Sequence, residues 1–282
     1  MTPPHPPTAA EALRAAITHL TAAGVDSAPR DARLLLAHAL QIAPDRLTLH
    51  LSDPVPPAAA TRFADAIAAR CDRQPVAQIT GQRLFWGRSF HVTHDVLDPR
   101  PETETLVAAA LERPFANLLD LGTGSGCILL SCLADRPQAQ GLGVDLSPQA
   151  LAVAARNAAS LGIDRATFLH SNWCQSVTGS YDLILSNPPY ITAAEMPDLA
   201  PEVLHWEPHS ALTPGGDGLA AYRIIARDAP PLLRPGGRLM VEIGRAQGAA
   251  VAAIFAAAGL AGITIRPDMD GRDRVVSAEK PL

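Results

Sequence analysis

The chain has 282 residues, 48% of them apolar, and a formal net charge of −5. That length predicts about two domains, and the apolar share excludes global disorder. The acidic balance offers no overall attraction for nucleic acid, and no run of about 18 apolar residues marks a membrane span.

The first residues, 1–7, are proline-rich, lack the basic and apolar regions of a signal peptide, and read as a disordered tail. From 8 to 73 the pattern is helical and alanine-rich, broken by prolines. Thr8 and Glu11 have capping-box spacing, which starts a helix running to about Ala23 and ending at Gly24. Pro29 suits the first turn of a second helix, which runs to Leu40. A short helix near 45–49 and a longer one over 57–73 complete a small bundle. His19, His38 and His50 are scattered through it without metal-binding spacing. Cys71, Cys127, Cys132 and Cys174 form no CxxC pair, so no metal is expected, and they fit a reducing cytosol.

Residues 74–101 read as a connector with a hairpin. Leu84-Phe85-Trp86-Gly87 and Ser89-Phe90-His91-Val92 are its β-prone pieces, separated by a turn. Pro101 and Glu102 suit the start of a helix ending at Leu111. From Asn117 onward strands alternate with helices, the pattern of a doubly wound sheet. Strands are expected at 117–121, 140–145, 166–170, 181–186, 237–243, 261–266 and 273–278. Helices are expected at 126–135, 148–160, 217–230 and 247–258. Only a turn separates the last two strands, so they can run antiparallel.

The first strand of this region runs into Gly122-Thr123-Gly124-Ser125-Gly126, and Asp145 ends the second strand about 20 residues on, where an acid meets ribose hydroxyls. A dinucleotide fingerprint is GxGxxG, with a helix N-terminus facing a pyrophosphate. Here Asp120 precedes the glycines, which suits a ligand with a cationic amino group and no phosphate. S-adenosylmethionine is such a ligand. After the third strand, Asn172 can bond an adenine edge; Trp173 can pack on the ring or can belong to the core.

The fourth strand leads into Asn187-Pro188-Pro189-Tyr190. The prolines stiffen the loop and leave its carbonyls free to accept hydrogen bonds. Asn187 and the Pro188 carbonyl can accept the two hydrogens of a planar nitrogen, with Tyr190 against its plane. Alone, the same four residues would also make a plain turn ending a strand.

The motifs together resemble the N(5)-glutamine methyltransferases of peptide chain release factors, the HemK or PrmC type. The resemblance spans nearly the whole chain. It is carried by Pro75-Val76-Ala77-Gln78-Ile79-Thr80-Gly81, Phe85-Trp86-Gly87, Pro99-Arg100-Pro101-Glu102-Thr103-Glu104, the glycine turn and Asn187-Pro188-Pro189-Tyr190-Ile191. Glu207-Pro208, Gly215-Gly216-Asp217-Gly218-Leu219, Pro235-Gly236-Gly237, Glu242-Ile243-Gly244 and Gly271-Arg272-Asp273-Arg274 extend it. Asp98 departs from it, standing where the family usually has an apolar residue, and so does Asn172, where the family often has Asp.

The resemblance implies a class I S-adenosylmethionine-dependent methyltransferase fold, an α/β Rossmann-like sheet of seven strands. It implies an N-terminal helical substrate-docking domain at 1–73, a hairpin linker at 74–101 and the methyltransferase domain at 102–282. Gly122, Thr123, Gly124, Ser125, Gly126, Asp145, Trp173 and Asn187 would bind S-adenosyl-L-methionine, leaving S-adenosyl-L-homocysteine as product. Asn187, Pro188, Pro189 and Tyr190 would hold the glutamine of the release factor GGQ motif, with Asn187, Pro188 and Tyr190 as the catalytic set. The expected partners are release factors, with no direct nucleic acid and no membrane, for a cytoplasmic monomer. Nucleic-acid methyltransferases share the tetrad, but the net charge of −5 counts against that reading. A non-catalytic cofactor-binding module is disfavoured by a tetrad and a cofactor turn that are both intact.

Overall fold

A computed structural model describes residues 6–282. It divides into two compact units. One holds the residues up to Gly81 with Ala200–Trp206; the other holds Gln82–Leu199 with Glu207–Leu282. The expected disordered tail falls largely on residues 1–5, outside the described residues. Pro7 already belongs to the fold, since its carbonyl accepts from Val55 N at 2.9 Å.

In the first unit, α1 (Ala9–Ala22), α2 (Ala28–Leu40) and α3 (Pro57–Cys71) pack around Leu20, Leu35, Leu36 and Phe63. Thr8 and Glu11 form the expected capping box. The short helix expected at 45–49 is a 3-10 segment, Pro44–His50. A further short helix, α4 (Val76–Thr80), clusters with this unit although the sequence pattern places it in the connector. The segment Pro201–Trp206 also folds here, as a helix the sequence does not announce. Arg70 is buried and donates to Asp31 and to Glu202, each at 2.8 Å. Arg73 bonds Glu202 as well, and Trp206 Nε1 donates to the Asp72 carbonyl at 3.1 Å. A buried guanidinium is tolerable only with such partners, because its desolvation costs several kcal/mol.

The second unit opens with a hairpin, β1 (Gln82–Phe85) and β2 (Arg88–His91). Its strands begin earlier than expected because Trp86 and Gly87 are themselves the turn, at φ 49° and 70°. Two successive positive φ values match the twist of a two-residue hairpin. There follow α5 (Glu104–Leu111), β3 (Asn117–Leu121), α6 (Cys127–Asp135) and β4 (Gln140–Asp145). Next come α7 (Pro148–Ser160), β5 (Ala166–His170) and β6 (Tyr181–Ser186). Beyond the Pro201–Trp206 helix, α8, lie α9 (His209–Leu212), α10 (Ala220–Asp228) and β7 (Leu233–Glu242). The chain closes with α11 (Gly248–Ala257), β8 (Ala261–Pro267) and β9 (Asp273–Glu279). Expected helix 217–230 is shorter, since Asp217 caps a turn at Leu219 N (3.0 Å) and Pro230 stops the other end.

The seven strands lie in the order β5-β4-β3-β6-β7-β9-β8, with β9 antiparallel to both of its neighbours. Strand β7 starts at Leu233 rather than 237 because Leu233 pairs with Tyr181 across a register shift. Alternate residues of the buried strands feed two apolar layers. Leu118, Leu183 and Leu185 join α5 and α6; Leu119, Leu121 and Ile184 join α10 and α11. Both faces are covered, as a parallel sheet requires. Among the described residues no helix is long and apolar enough to cross a membrane.

Candidate active site

Strand order reverses between β3 and β6: β4 and β5 extend the sheet one way, β6 and β7 the other. Open α/β sheets bind ligands at that crevice, beyond the carboxyl ends of the strands. A cavity of about 440 Å³ lies there. Its walls include the glycine turn after β3, Asp145 at the end of β4, Asn172 and Trp173 after β5, and Asn187 after β6.

The turn is built for close approach. Gly122, Gly124 and Gly126 have φ of 70°, 53° and 79°, a region L side chains avoid. A Cβ on Gly124 would meet nothing within 4 Å, so the wall there is bare backbone. A Cβ on Gly126 would stand 3.1 Å from Leu130 and 3.2 Å from Ala154, so this glycine serves helix packing and does not line the cavity. Asp145 accepts from Gly124 N on one oxygen and from Ser147 N on the other, both at 2.9 Å. A carboxylate has about four acceptor positions, so capacity remains for ligand hydroxyls. Trp173 lines the cavity and also packs against the core.

Asp120 departs from expectation. Its side chain is fully buried and does not line the cavity; it accepts from the Thr123 hydroxyl at 2.7 Å. Burial pushes its carboxyl up to about 7, and its other oxygen has no partner among the described residues. Strand alternation turns it under the glycine turn, so it braces that turn and does not meet a ligand amine. The Thr123 hydroxyl hydrogen is thereby committed to the protein, while Thr123 itself lines the cavity. Ser125 is buried too, its carbonyl accepting from Asn157 Nδ2 at 2.9 Å.

Within the tetrad, Asn187 and Pro189 line the cavity, whereas Pro188 and Tyr190 are set back. Asn187 Nδ2 donates to Thr103 Oγ1 at 3.3 Å. The Thr103 hydroxyl donates to Glu242 Oε2 at 2.6 Å. Tyr190 packs partly into the core, and its hydroxyl donates to Glu242 Oε1 at 3.3 Å. Glu242 is buried, which pushes its carboxyl up to about 7, partly offset by Thr103 and Arg274. Burial likewise holds the Tyr190 phenol well above its ordinary value, so it stays protonated. Neither Thr103 nor Glu242 carries a role in the sequence reading. One signal for Glu242 was available: a carboxylate ending the apolar run Leu239-Met240-Val241.

Pro99 and Arg100 also line the cavity. Arg100 donates to both oxygens of buried Glu207, at 2.6 and 2.8 Å. Asp98 is buried 3.5 Å from Arg83, and burial raises its carboxyl. An acid is accommodated at this position by the two arginines around it. Asn172, the other departure, is an exposed residue at the cavity edge.

Two family models match the chain: the PrmC N-terminal domain over residues 11–81 and the methyltransferase small domain over 93–220. A release factor glutamine methyltransferase of Cereibacter sphaeroides is 65% identical, over 97% of this chain and 99% of that protein. One of Rhodospirillum rubrum is 46% identical, over 93% of this chain and 82% of that protein. Among solved structures, a methyltransferase from Pyrococcus furiosus aligns with a TM-score of 0.54 at 16% identity, covering 79% of this chain and all of that one. The 16S rRNA N2 G1207 methyltransferase of T. thermophilus, in complex with AdoMet and guanosine, aligns at 0.50 and 20% identity, over 71% of this chain and 49% of that one. The two structures bear on the fold alone.

Proposed function

The chain belongs to the release factor glutamine methyltransferase family, and from that premise we propose that it moves a methyl group from S-adenosylmethionine to the side-chain amide nitrogen of the GGQ glutamine of release factors. The observation that carries the reading is one cavity shared by the bare glycine turn, Asp145 and Asn187. A cradle that a Cβ at Gly124 would begin to fill fits the adenosyl group, with Asp145 for the ribose and Trp173 beside the ring. Bound S-adenosylmethionine supplies an electrophilic methyl on a sulfonium.

An amide nitrogen is a weak nucleophile because its lone pair is delocalised into the carbonyl. Asn187 Oδ1 and the Pro188 carbonyl accept its two hydrogens, which orients the nitrogen toward the methyl and favours the positive charge that develops. Orientation and electrostatics of this kind lower a barrier by several kcal/mol. Tyr190 sets the plane of the amide. The methylated amide then gives up its extra proton to solvent readily, so no strong base is required.

The test is incubation with labelled S-adenosylmethionine and a purified release factor, followed by mass mapping of the methyl. A single methyl on the GGQ glutamine is the expected result. Label elsewhere, or none with an active cofactor supply, overturns the reading.

A further inference from the structure

Asn187 and Tyr190 sit at the two ends of one short polar path, and both ends meet at Glu242. With Glu242 ionised, the form that Arg274 at 4.0 Å favours, the donor and acceptor order along that path is fixed. A carboxylate only accepts, and a threonine hydroxyl has one hydrogen to give. That hydrogen goes to Glu242 Oε2 at 2.6 Å. Thr103 Oγ1 is then left with lone pairs, and Asn187 can satisfy one only by presenting its NH2. The amide would otherwise be a two-way rotor. Turned over, it would face Thr103 oxygen to oxygen and aim N–H groups at a substrate amide that also carries N–H groups.

We propose that Thr103 and Glu242 are positioning residues that fix the Asn187 amide with Oδ1 toward the substrate nitrogen, while Glu242 also anchors the Tyr190 ring. Burial strengthens the device: Glu242 is 1% exposed and away from the cavity, and Thr103, at its wall, is 2% exposed. The two are far from each other in sequence, and neither is adjacent to the tetrad. Arg274 stands 4.0 Å from Glu242 and favours its charged, acceptor-only form. The inference rests on Asn187 being the acceptor for the substrate amide, as read above.

The test uses the full chain, a release factor and labelled S-adenosylmethionine. Thr103→Val, Thr103→Ser, Glu242→Gln and Asn187→Ala are compared for kcat, KM and cofactor affinity. Thr103→Val removes the relay without changing size and should lower kcat at least about tenfold, the scale of one buried hydrogen bond. Thr103→Ser restores the hydroxyl and should stay within about threefold of the parent, a rescue that packing alone does not predict. Glu242→Gln can offer its own NH2 to Thr103, which frees the hydroxyl hydrogen and lets the Asn187 amide turn; kcat should fall with cofactor affinity little changed. Full kcat in Thr103→Val, or an equal loss in the Ser and Val forms, overturns the proposal. Should Thr103→Val not fold, an unchanged kcat in Glu242→Gln overturns it instead. A dead Asn187→Ala beside an unimpaired Thr103→Val sinks this inference alone, whereas an active Asn187→Ala sinks the reading of the tetrad beneath it.

Discussion

Asp145 binds two backbone N–H groups, from Gly124 and Ser147, and still faces the cavity. In the proposed site its loss would remove contacts to the ribose and loosen the turn beside it. We expect Asp145→Ala to weaken S-adenosylmethionine binding at least about tenfold, or ~1.4 kcal/mol; calorimetric affinity equal to the parent's would remove Asp145 from the site. Asp120 gives a second residue-scale expectation, in stability. Its carboxyl is raised from 3.8 to about 7, first by burial and then by nearby Asp145, against the Thr123 hydrogen bond. A raised acid favours the folded state most while it is protonated, below its unfolded value. That contribution is present below about 3.8 and is lost as pH rises toward about 7. Asp120→Asn cannot ionise, so its melting temperature should fall less than the parent's between those limits. Parallel curves for the two proteins would show that Asp120 does not titrate on unfolding.

The turn from β3 into α6 contains two glycines with different duties, which substitution can separate. Both have positive φ, so alanine at either costs about 1–2 kcal/mol of strain. At Gly124 the new Cβ meets open space and enters the cavity. At Gly126 it presses on Leu130 of α6 and Ala154 of α7. Gly124→Ala should thus lose affinity for the cofactor more than tenfold with a modest loss of stability. Gly126→Ala should lose more than about 2 kcal/mol in denaturant unfolding, through overpacking added to strain. Matched effects in binding and unfolding would mean that the two glycines share one role.

Every residue lining the cavity belongs to the second unit. A chain shortened to begin near Gln74 should therefore still bind S-adenosylmethionine. It would also lose Arg70, Arg73 and Asp72, the partners of Glu202 and Trp206. The α8 segment follows the tetrad loop in the chain, so its unfolding should slow turnover even on a short glutamine peptide. If residues 8–73 also dock the release factor, its kcat/KM should fall further than the peptide's, because surface contacts raise effective concentration at the pocket. An equal fall on both substrates would leave the helical unit a supporting role only, and retained turnover on the peptide would show that α8 does not govern the tetrad loop.

Signals that act over a few residues were legible in the chain itself. The capping box at Thr8, the strand–helix alternation from Asn117, the glycine turn and the Asn187-Pro188-Pro189-Tyr190 loop depend on local sterics and period, and they appear where the pattern puts them. Boundaries slipped where a turn hid inside a β-prone run, as at Trp86-Gly87. Only the tertiary structure turned Asp120 away from the cavity, gave α8 to the helical unit and joined Thr103, Glu242, Asn187 and Tyr190. Thr103 and Glu242 stand 139 positions apart, and Thr103 and Asn187 84. Contacts over such distances are set by which strands lie side by side and how far each runs, and no local pattern encodes that order.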